Sequence, residues 1–304
     1  MGIGYGECCT MPGLLKEPTE SELNYWCKLT EKLRQIPDID GIPSPIRFGL
    51  ESALAEVQHP GQPRWESAFT QGKRGIKIHH LIWMSDVDSM LSAMQRGIEQ
   101  GFTCLKLKVG ALPFEQELTM LREIHTAFPQ IEIRVDANGA FLPSETLSKL
   151  ERLAAAGVSS IEQPILPGQW LRLQELCRLS PLRIAADEEL ITAHRCAARF
   201  LDTVMPQAIV IKPSLHGGLK GADNLAKLAN ARGISWWINS ALESHIGLTA
   251  LAEWCGANAP TTLHGLGTGQ LFIDDMPEQI QLKGSRIYYR PIIKADTNTF
   301  CARS

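Results

Sequence analysis

The segment IEIRVDANGAFLPSETLSKLERLAAAGVSSIEQP, residues 131–164, contains a complete strand–helix–strand unit. Two short apolar runs each end in a carboxylate, Asp136 in the first and Glu162 in the second. Between them, apolar residues recur at steps of three and four across residues 144–157, the pattern of a helix with one buried face. Because parallel strands need a helical crossover of this kind, the segment predicts two neighbouring parallel strands that each present an acid at the carboxyl end.

The same unit repeats on both sides of this segment. Five polar residues that end apolar runs are separated by 28, 26, 25 and 25 residues: Lys108, Asp136, Glu162, Asp187 and Lys212. A period of about 25 residues accommodates one strand, one helix and two short loops. In a β/α barrel the carboxyl ends of the strands meet at one rim, where the active site lies. The spacing therefore predicts that these five side chains converge.

Three further segments extend the period and bring the predicted strands to eight. IKIHHLIW (76–83) lies upstream, and SWWINS (235–240) and TTLHGL (261–266) lie downstream. Helical periodicity fills the intervals, most clearly at 87–101, 114–128, 144–157 and 219–233. Strands that alternate with helices are typical of a parallel sheet. We expect an α/β fold built as a TIM-like (β/α)7β barrel.

The two ends of the chain lack this period. Residues 1–75 contain turns rich in Gly and Pro and two helical patterns, at 19–36 and 44–57, whereas residues 279–290 have the pattern of a β-hairpin. We expect both ends to form one α+β capping domain. The predicted division is 1–75 for the amino-terminal part of the cap, 76–268 for the catalytic barrel and 269–304 for a segment that returns to the cap.

Composition excludes several classes of function. The 304 residues are 44% hydrophobic and 21% charged, which allows a large buried core. A net charge of −3 without a basic run argues against a nucleic-acid partner, and no apolar run reaches the roughly 20 residues of a membrane span. Eight scattered cysteines form neither a zinc motif nor a disulfide framework. We expect a cytoplasmic protein that acts on a small molecule; assembly into a homo-oligomer is left open.

Asp136, Glu162 and Asp187 form a candidate metal site. Mg²⁺ prefers oxygen ligands and commonly retains waters, so one carboxylate from each of three adjacent strands leaves positions for substrate oxygens. Mn²⁺ accepts the same ligands, whereas Zn²⁺ favours His and Cys, and neither stands at these positions. Any one of these acids could be an ordinary loop carboxylate or a helix cap. Three acids at the same point of successive strands favour a metal site.

Two lysines precede the acids in the sequence Lys106-Leu107-Lys108. Side chains alternate along a strand, so both lysines lie on one face and Leu107 on the other. If that face points into the barrel, two ammonium groups share a confined space, which favours the neutral amine that a general base requires. Lys212 would face them across the barrel. A solvated surface strand is the alternative, but residues 104–109 lack the turn residues of an exposed edge.

Five short motifs carry the candidate residues: KLK (106–108), DAN (136–138), EQP (162–164), ADEE (186–189) and IKP (211–213). In this order and spacing they resemble the enolase superfamily, in its muconate-lactonising subgroup. The resemblance covers nearly the whole chain, including GYGEC (4–8) and FGLESAL (48–54). Lys or His bases that work with Mg²⁺ are the pattern of this superfamily.

The resemblance also implies a reaction. AADEEL (185–190), NSALESHIGL (239–248) and GLGTGQLF (265–272) are most similar to members that dehydrate 2-succinyl-6-hydroxy-2,4-cyclohexadiene-1-carboxylate to 2-succinylbenzoate in menaquinone biosynthesis. Lys108 would remove the proton α to the ring carboxylate, and Lys106 would tune it. Lys212 would stabilise charge from the opposite face.

The remaining site residues follow from the same resemblance. Asp136, Glu162 and Asp187 would hold Mg²⁺, and Asn138 and Glu188 would support these ligands. Three further residues would bind the succinyl carboxylate: Ser240, Gly265 and Gly267. For Ser240, a helix-cap role is equally consistent with the sequence.

Two alternatives stay open. Relatives usually carry further chain before GYGEC, so the resemblance implies a cap without its first strand and without the loop that closes over the substrate; a non-catalytic binding barrel would fit that. An isomerase on the same scaffold would also fit, namely a dipeptide or N-acylamino-acid epimerase or a cycloisomerase, because bases on two faces can serve racemisation. Dipeptide epimerases typically show Asp-x-Asp near the last strand. Here that region reads GLGTGQ.

Overall fold

The computed structural model describes residues 3–11, 13–14, 19–30, 41–268 and 279–290. Its strands are β1 (Ile76–Lys77), β2 (His80–Ile82), β3 (Cys104–Lys108), β4 (Glu132–Asp136), β5 (Val158–Glu162), β6 (Arg183–Ala186), β7 (Ala208–Ile211), β8 (Ser235–Ile238), β9 (Ile280–Lys283) and β10 (Arg286–Tyr289). Its helices are α1 (Glu20–Thr30), α2 (Ser44–Gln58), α3 (Val87–Glu99), α4 (Phe114–Ala127), α5 (Thr146–Ala155), α6 (Trp170–Leu179), α7 (Glu189–Ala193), α8 (Ala197–Val204), α9 (Gly218–Asn230) and α10 (His245–Asn258).

Strands β2 to β8 form one parallel sheet in which each strand pairs with the next along the chain. The sheet closes through a short segment at His264 and Gly265, which bridges Ile78 on one side and Asn239 on the other, both in parallel. Its backbone bonds include His79 N–H to His264 O at 3.1 Å and Gly265 N–H to Ile238 O at 2.8 Å. The expected α/β barrel is therefore present, and the eighth predicted strand is reduced to this bridge.

The helices between the strands agree with the periodicity in the sequence. The segments predicted at 87–101, 114–128, 144–157 and 219–233 appear as α3, α4, α5 and α9, each with ends within a few residues of the expectation. Asp86 caps α3, because its carboxylate accepts a hydrogen bond from Ser89 N at 2.9 Å. Apolar strand residues such as Leu105 and Ile133 are fully buried. None of the helices in the described ranges is long and apolar enough to cross a membrane.

The segment 76–83 differs from its prediction as one barrel strand. Only β2 enters the barrel, whereas β1 pairs antiparallel with β10, with Ile76 opposite Ile287. Strands β9 and β10 form the hairpin predicted for 279–290, and Gly284 takes φ +56° in its turn. The carboxyl-terminal hairpin thus lies against the chain that leads into the barrel. Residues 31–36, 269–278 and 291–304 lie outside the described residues, and the division into cap and barrel stays a prediction.

The amino-terminal segment packs on α2 and on the start of α10. Tyr5 N–H donates to Glu56 Oε2 at 3.0 Å. The carboxylate of Glu7 accepts hydrogen bonds from Ser244 N at 2.8 Å and Gly247 N at 2.9 Å, so it neutralises the amino-terminal end of α10. A Cβ at Gly6 would lie 1.8 Å from Gly49 O, which explains a glycine there. The GYGEC motif thus holds this segment against the barrel.

Arg64→Met is expected to lower the free energy of unfolding by about 3–5 kcal/mol, because it leaves a buried carboxylate without its charged partner. Arg64 Nη1 lies 3.3 Å from Glu253 Oε1, and Glu253 is 1% exposed. Arg64 also binds Glu56 at 2.7 Å. Urea denaturation measures the loss. Arg232→Met is the control, because Arg232 makes a similar pair with Asp202 on the surface and should have a far smaller effect. Equal losses in the two variants would contradict the prediction.

Candidate active site

The three predicted acids meet at the carboxyl rim of the barrel. Asp136 is opposite Glu162 in the β4–β5 register, and Asp187 directly follows β6. All three side chains are buried, with at most 2% exposed. One carboxylate oxygen from each lies within 4.8 Å of those of the other two. Acids that are separated along the chain thus form one cluster, as the strand period predicted.

The carboxylate oxygens fit a hard divalent cation. Glu162 Oε1 and Asp187 Oδ1 are buried and have no hydrogen-bond donor in the described part of the chain. An unpartnered buried carboxylate oxygen is costly. Oxygen ligands from carboxylates are those that Mg²⁺ and Mn²⁺ prefer. The donor set therefore fits the metal expected from the sequence.

Lysines stand on both sides of the acid cluster. Lys108 Nζ donates to Asp136 Oδ2 and to Asn138 Oδ1, each at 2.7 Å. Lys212 Nζ donates to Asp187 Oδ2 at 2.6 Å. Because Lys108 ends β3 and Lys212 follows β7, the two ammonium groups flank the acids from opposite ends of the row. This arrangement can place a cationic or basic group on either side of a bound substrate.

Lys106 lies beneath the acids. It is 4% exposed, and Nζ contacts Glu162 Oε2 and lies 2.9 Å from Asp136 Oδ2. Burial alone would lower the pKa of Lys106, but the carboxylates of Asp136, Glu162 and Asp187 outweigh it and raise the pKa. The expectation that crowding with Lys108 favours the neutral amine is therefore wrong for Lys106. The acids, which sequence spacing places on other strands, dominate its surroundings.

The acids respond to the same electrostatic balance. Burial raises the pKa of Glu162 to about 7; Lys106 opposes this rise, and the negative charges of Asp136 and Asp187 add to it. Burial would also raise the pKa of Asp136, but Lys106 and Lys108 hold it below its usual value. The ammonium groups of Lys106, Lys108 and Lys212 thus offset part of the negative charge of the buried carboxylates.

Asn138 and Glu188 lie next to the cluster, as expected. Asn138 adopts φ +43°, a conformation that Asn tolerates better than most residues. Its backbone N–H donates to Asp136 Oδ1 at 3.0 Å, and its side-chain Nδ2 donates to Glu188 Oε1 at 2.7 Å. Asn138 therefore connects an acid, Lys108 and Glu188. The supporting role of the two residues stays a prediction.

Comparison with known proteins agrees with this geometry. Residues 89–287 match the family described as Enolase C-terminal domain-like. The chain belongs to the enolase superfamily. Its resemblance to this superfamily, stated from the five motifs, is thereby confirmed.

Two sequence relatives and one crystal structure are similar to this enolase-superfamily member. It is 43% identical to an o-succinylbenzoate synthase of Desulfotalea psychrophila over 81% of this chain and 68% of that protein. The crystal structure of MenC from Desulfotalea psychrophila superposes with a TM-score of 0.85 at 35% identity, covering 94% of this chain and 90% of that chain. An L-Ala-D/L-Glu epimerase of Bacillus subtilis is 26% identical over 62% of this chain and 52% of its own length. That sequence match thus covers about half of the epimerase.

Gln163 is a site residue that the sequence interpretation did not single out. It is fully buried, takes φ +36° and follows Glu162 directly. Its Oε1 accepts hydrogen bonds from Asp187 N at 3.1 Å and Glu189 N at 3.2 Å. Gln163 thereby ties the loop that carries Asp187 to the end of β5. Its place in the EQP motif, directly after Glu162, was the sequence feature that could have identified it.

Two of the three residues predicted to bind the substrate, Ser240 and Gly265, make hydrogen bonds within the protein. Ser240 Oγ donates to Glu243 Oε2 at 2.5 Å and accepts from Thr268 Oγ1 at 2.7 Å. The N–H of Gly265 is used in barrel closure. Ser240 therefore closes the turn before α10, whereas the residue that caps this helix is Ser244, so the helix-cap role considered for Ser240 is wrong. Substrate binding by Ser240, Gly265 and Gly267 stays a prediction.

A cavity lies at the amino-terminal end of the barrel strands. It has a volume of about 490 Å³, and its lining includes Arg183 and Ser235, which begin β6 and β8. The active sites of β/α barrels lie at the carboxyl ends of the strands. The acid cluster, not this cavity, is therefore the candidate active site.

Proposed function

We propose that this enolase-superfamily member is an o-succinylbenzoate synthase, a carbon–oxygen hydro-lyase of the cytoplasm that forms 2-succinylbenzoate for menaquinone biosynthesis. Its substrate would be 2-succinyl-6-hydroxy-2,4-cyclohexadiene-1-carboxylate. The observation that carries the proposal is a buried triad of acids flanked by Lys108 and Lys212. The 43% identity to an o-succinylbenzoate synthase supports the choice of substrate.

Lys108 acts as the base in this proposal. Its neutral amine takes the proton from the carbon α to the ring carboxylate. The electron pair of that C–H bond becomes a ring double bond as the C–O bond breaks, and the leaving hydroxide takes the proton back from Lys108 to form water. The products are 2-succinylbenzoate and one water, and Lys108 returns to its starting state. Proton transfer by a positioned side chain contributes about 10²–10⁴-fold to a rate.

Other residues bind, orient and stabilise charge. Asp136, Glu162 and Asp187 would hold Mg²⁺, or Mn²⁺ in its place, and the cation would offset the negative charge that develops on the substrate carboxylate. Lys212, on the other side of the cluster, would stabilise charge on the opposite face of the ring. Lys106 holds the carboxylates of Asp136 and Glu162 in place.

The decisive experiment is an assay with the cyclohexadiene substrate. We expect the purified chain to release 2-succinylbenzoate when Mg²⁺ is present, which is followed by the loss of the near-ultraviolet absorbance of the conjugated dienone as the ring becomes aromatic. Treatment with EDTA should remove the activity, and Mg²⁺ or Mn²⁺ should restore it. A chain that binds Mg²⁺ but leaves the substrate unchanged would sink the proposal.

An epimerase is the second candidate, because Lys108 and Lys212 flank the acids from opposite ends and an L-Ala-D/L-Glu epimerase is among the relatives. Bases on two faces can remove and return an α-proton with inversion. Incubation of L-Ala-L-Glu and of an N-acylamino acid in D₂O tests this directly. Exchange of the α-hydrogen without any dehydration of the cyclohexadiene would favour the epimerase. The absence of both reactions would favour a barrel that only binds its ligand.

A further inference from the structure

Asn239 makes a contact to Glu162 from across the barrel. It follows β8, is 5% exposed, and its Nδ2 donates to Glu162 Oε2 at 3.4 Å, a long hydrogen bond. The same oxygen accepts from Lys106. Both contacts fall on Oε2, so Oε1 is the oxygen of Glu162 without a donor in the described ranges. Asn239 and Lys106 therefore occupy Oε2 and leave Oε1 as the oxygen of Glu162 available to a cation.

His79 lies beside the amide of Asn239, since both side chains border Gly265. An amide can present either NH₂ or oxygen to a neighbour, and the surroundings decide which. His79 is 3% exposed, and Asn239 is the side chain whose hydrogen bonding favours its protonation. Asn239 Oδ1 and both His79 ring nitrogens are buried, and none of them makes a hydrogen bond of ordinary geometry within the residues described. A ring N–H of His79 turned toward Oδ1 would give that oxygen a donor and would leave the NH₂ group of Asn239 for Glu162.

His79 is suited to this task as a neutral ring. Burial, followed by the positive charges of Lys106 and Arg134, holds the pKa of His79 well below its usual value. A neutral imidazole has one N–H donor and one acceptor nitrogen. It can therefore donate to the amide oxygen without adding a charge beside the acids.

Gly265 borders both side chains. A Cβ at this position would lie 2.1 Å from Asn239 Oδ1 and 2.6 Å from His79 Nε2. Its backbone groups are used in the barrel, since its N–H donates to Ile238 O at 2.8 Å and its oxygen accepts from Ser240 N at 2.9 Å. The space beside Gly265 is thus occupied by Asn239, which contacts Glu162, and by His79.

We infer that His79 and Asn239 are positioning residues that orient Glu162 toward the metal, and that Gly265 is a glycine because any side chain would displace them. The inference rests on the proposed function only in taking Glu162 as a metal ligand. It assigns Gly265 to metal affinity, whereas the sequence motif had assigned it to substrate binding.

Calorimetric titration with Mg²⁺ in the absence of substrate tests the inference. We expect Gly265→Ala and Asn239→Leu each to weaken Mg²⁺ binding about 10–100-fold, the range for residues that orient a metal ligand. Gly256→Ala is the matched control, because a Cβ there would meet Phe69 at 2.7 Å, in the core and away from the acids. It should lower the denaturation midpoint and leave the affinity unchanged. Asn239→Leu keeps the test decisive if Gly265→Ala does not fold.

The outcomes separate this inference from the proposed function. Unchanged Mg²⁺ affinity in folded Asn239→Leu, with lost affinity in Glu162→Gln, would overturn the positioning role and leave the metal site intact. Unchanged affinity in Glu162→Gln as well would overturn both. If Gly265→Ala and Asn239→Leu both bind Mg²⁺ normally but Gly265→Ala raises KM for the cyclohexadiene substrate, Gly265 belongs to substrate binding instead. Weakened Mg²⁺ binding with a normal denaturation midpoint in Asn239→Leu supports the inference.

Discussion

Lys108→Ala is expected to abolish dehydration while Mg²⁺ binding persists. The substitution removes the amine proposed as the base, whose Nζ lies 2.7 Å from Asp136 Oδ2, and leaves all three acids in place. Loss of a general base lowers a rate by about 10²–10⁴-fold, and here the same group also returns the proton to the leaving hydroxide. Steady-state kinetics with the cyclohexadiene substrate measure the loss, and calorimetry measures the retained affinity for Mg²⁺.

Two other lysine variants are compared with Lys108→Ala. Lys149→Ala is the control for loss of a lysine, because Lys149 pairs with Glu145 on the surface at 2.6 Å and should leave the rate unchanged. Lys212→Ala should reduce the rate and keep the metal, since Lys212 would act on the opposite face of the substrate. Near-normal dehydration by Lys108→Ala, together with its loss in Lys212→Ala, would exchange the two roles.

Asp136→Asn, Glu162→Gln and Asp187→Asn are each expected to weaken Mg²⁺ binding and abolish turnover. Each change keeps the shape of the side chain, removes one negative charge and replaces a ligand oxygen or its neighbour with an NH₂ group. In Asp136→Asn an NH₂ group at the position of Oδ2 would also face the ammonium groups of Lys106 and Lys108, which now donate to that oxygen and would lose their acceptor. Calorimetric titration with Mg²⁺ reports the affinity, and circular dichroism reports whether the variants fold.

The control for these variants is an acid far from the cluster. Glu115 pairs with Arg152 at 2.6 Å on the surface, so Glu115→Gln should bind Mg²⁺ like the unaltered chain. Unchanged affinity in all three cluster variants would refute the metal site. A loss of affinity in only one variant would leave that residue as the single ligand among the three and would contradict the three-carboxylate site.

Much of the barrel could be predicted from the sequence because its signal is local. A buried parallel strand is a short apolar run, and the residue after it lies at the rim whatever surrounds the barrel. For this reason the 25-residue steps located Glu162, Asp187 and Lys212 correctly at one rim. The alternation in Lys106-Leu107-Lys108 likewise agrees with the structure, where Leu107 is buried in the core and both lysines contact the acids.

Features that depend on partners distant in the chain were not predictable in this way. The run 76–83 reads as one strand, yet its first residues pair with β10, more than two hundred residues later. Within the described residues, the barrel closes through two isolated bridges, His264 with Ile78 and Gly265 with Asn239, which are too short to show as a strand pattern in the sequence. Periodicity carries no information about which chain segment will lie alongside.

The sequence by itself determined the order of strands and helices, the rim at which the chemical residues lie and the superfamily, because strand periodicity and motif spacing are properties of neighbouring residues. Only the tertiary structure decided the electrostatics of Lys106 and the contacts of Glu162 with Asn239. These depend on charges and donors brought together from β3, β5 and β8. A buried ion pair or hydrogen bond is set by separations of a few ångströms between atoms, and such separations exist only once the barrel has closed.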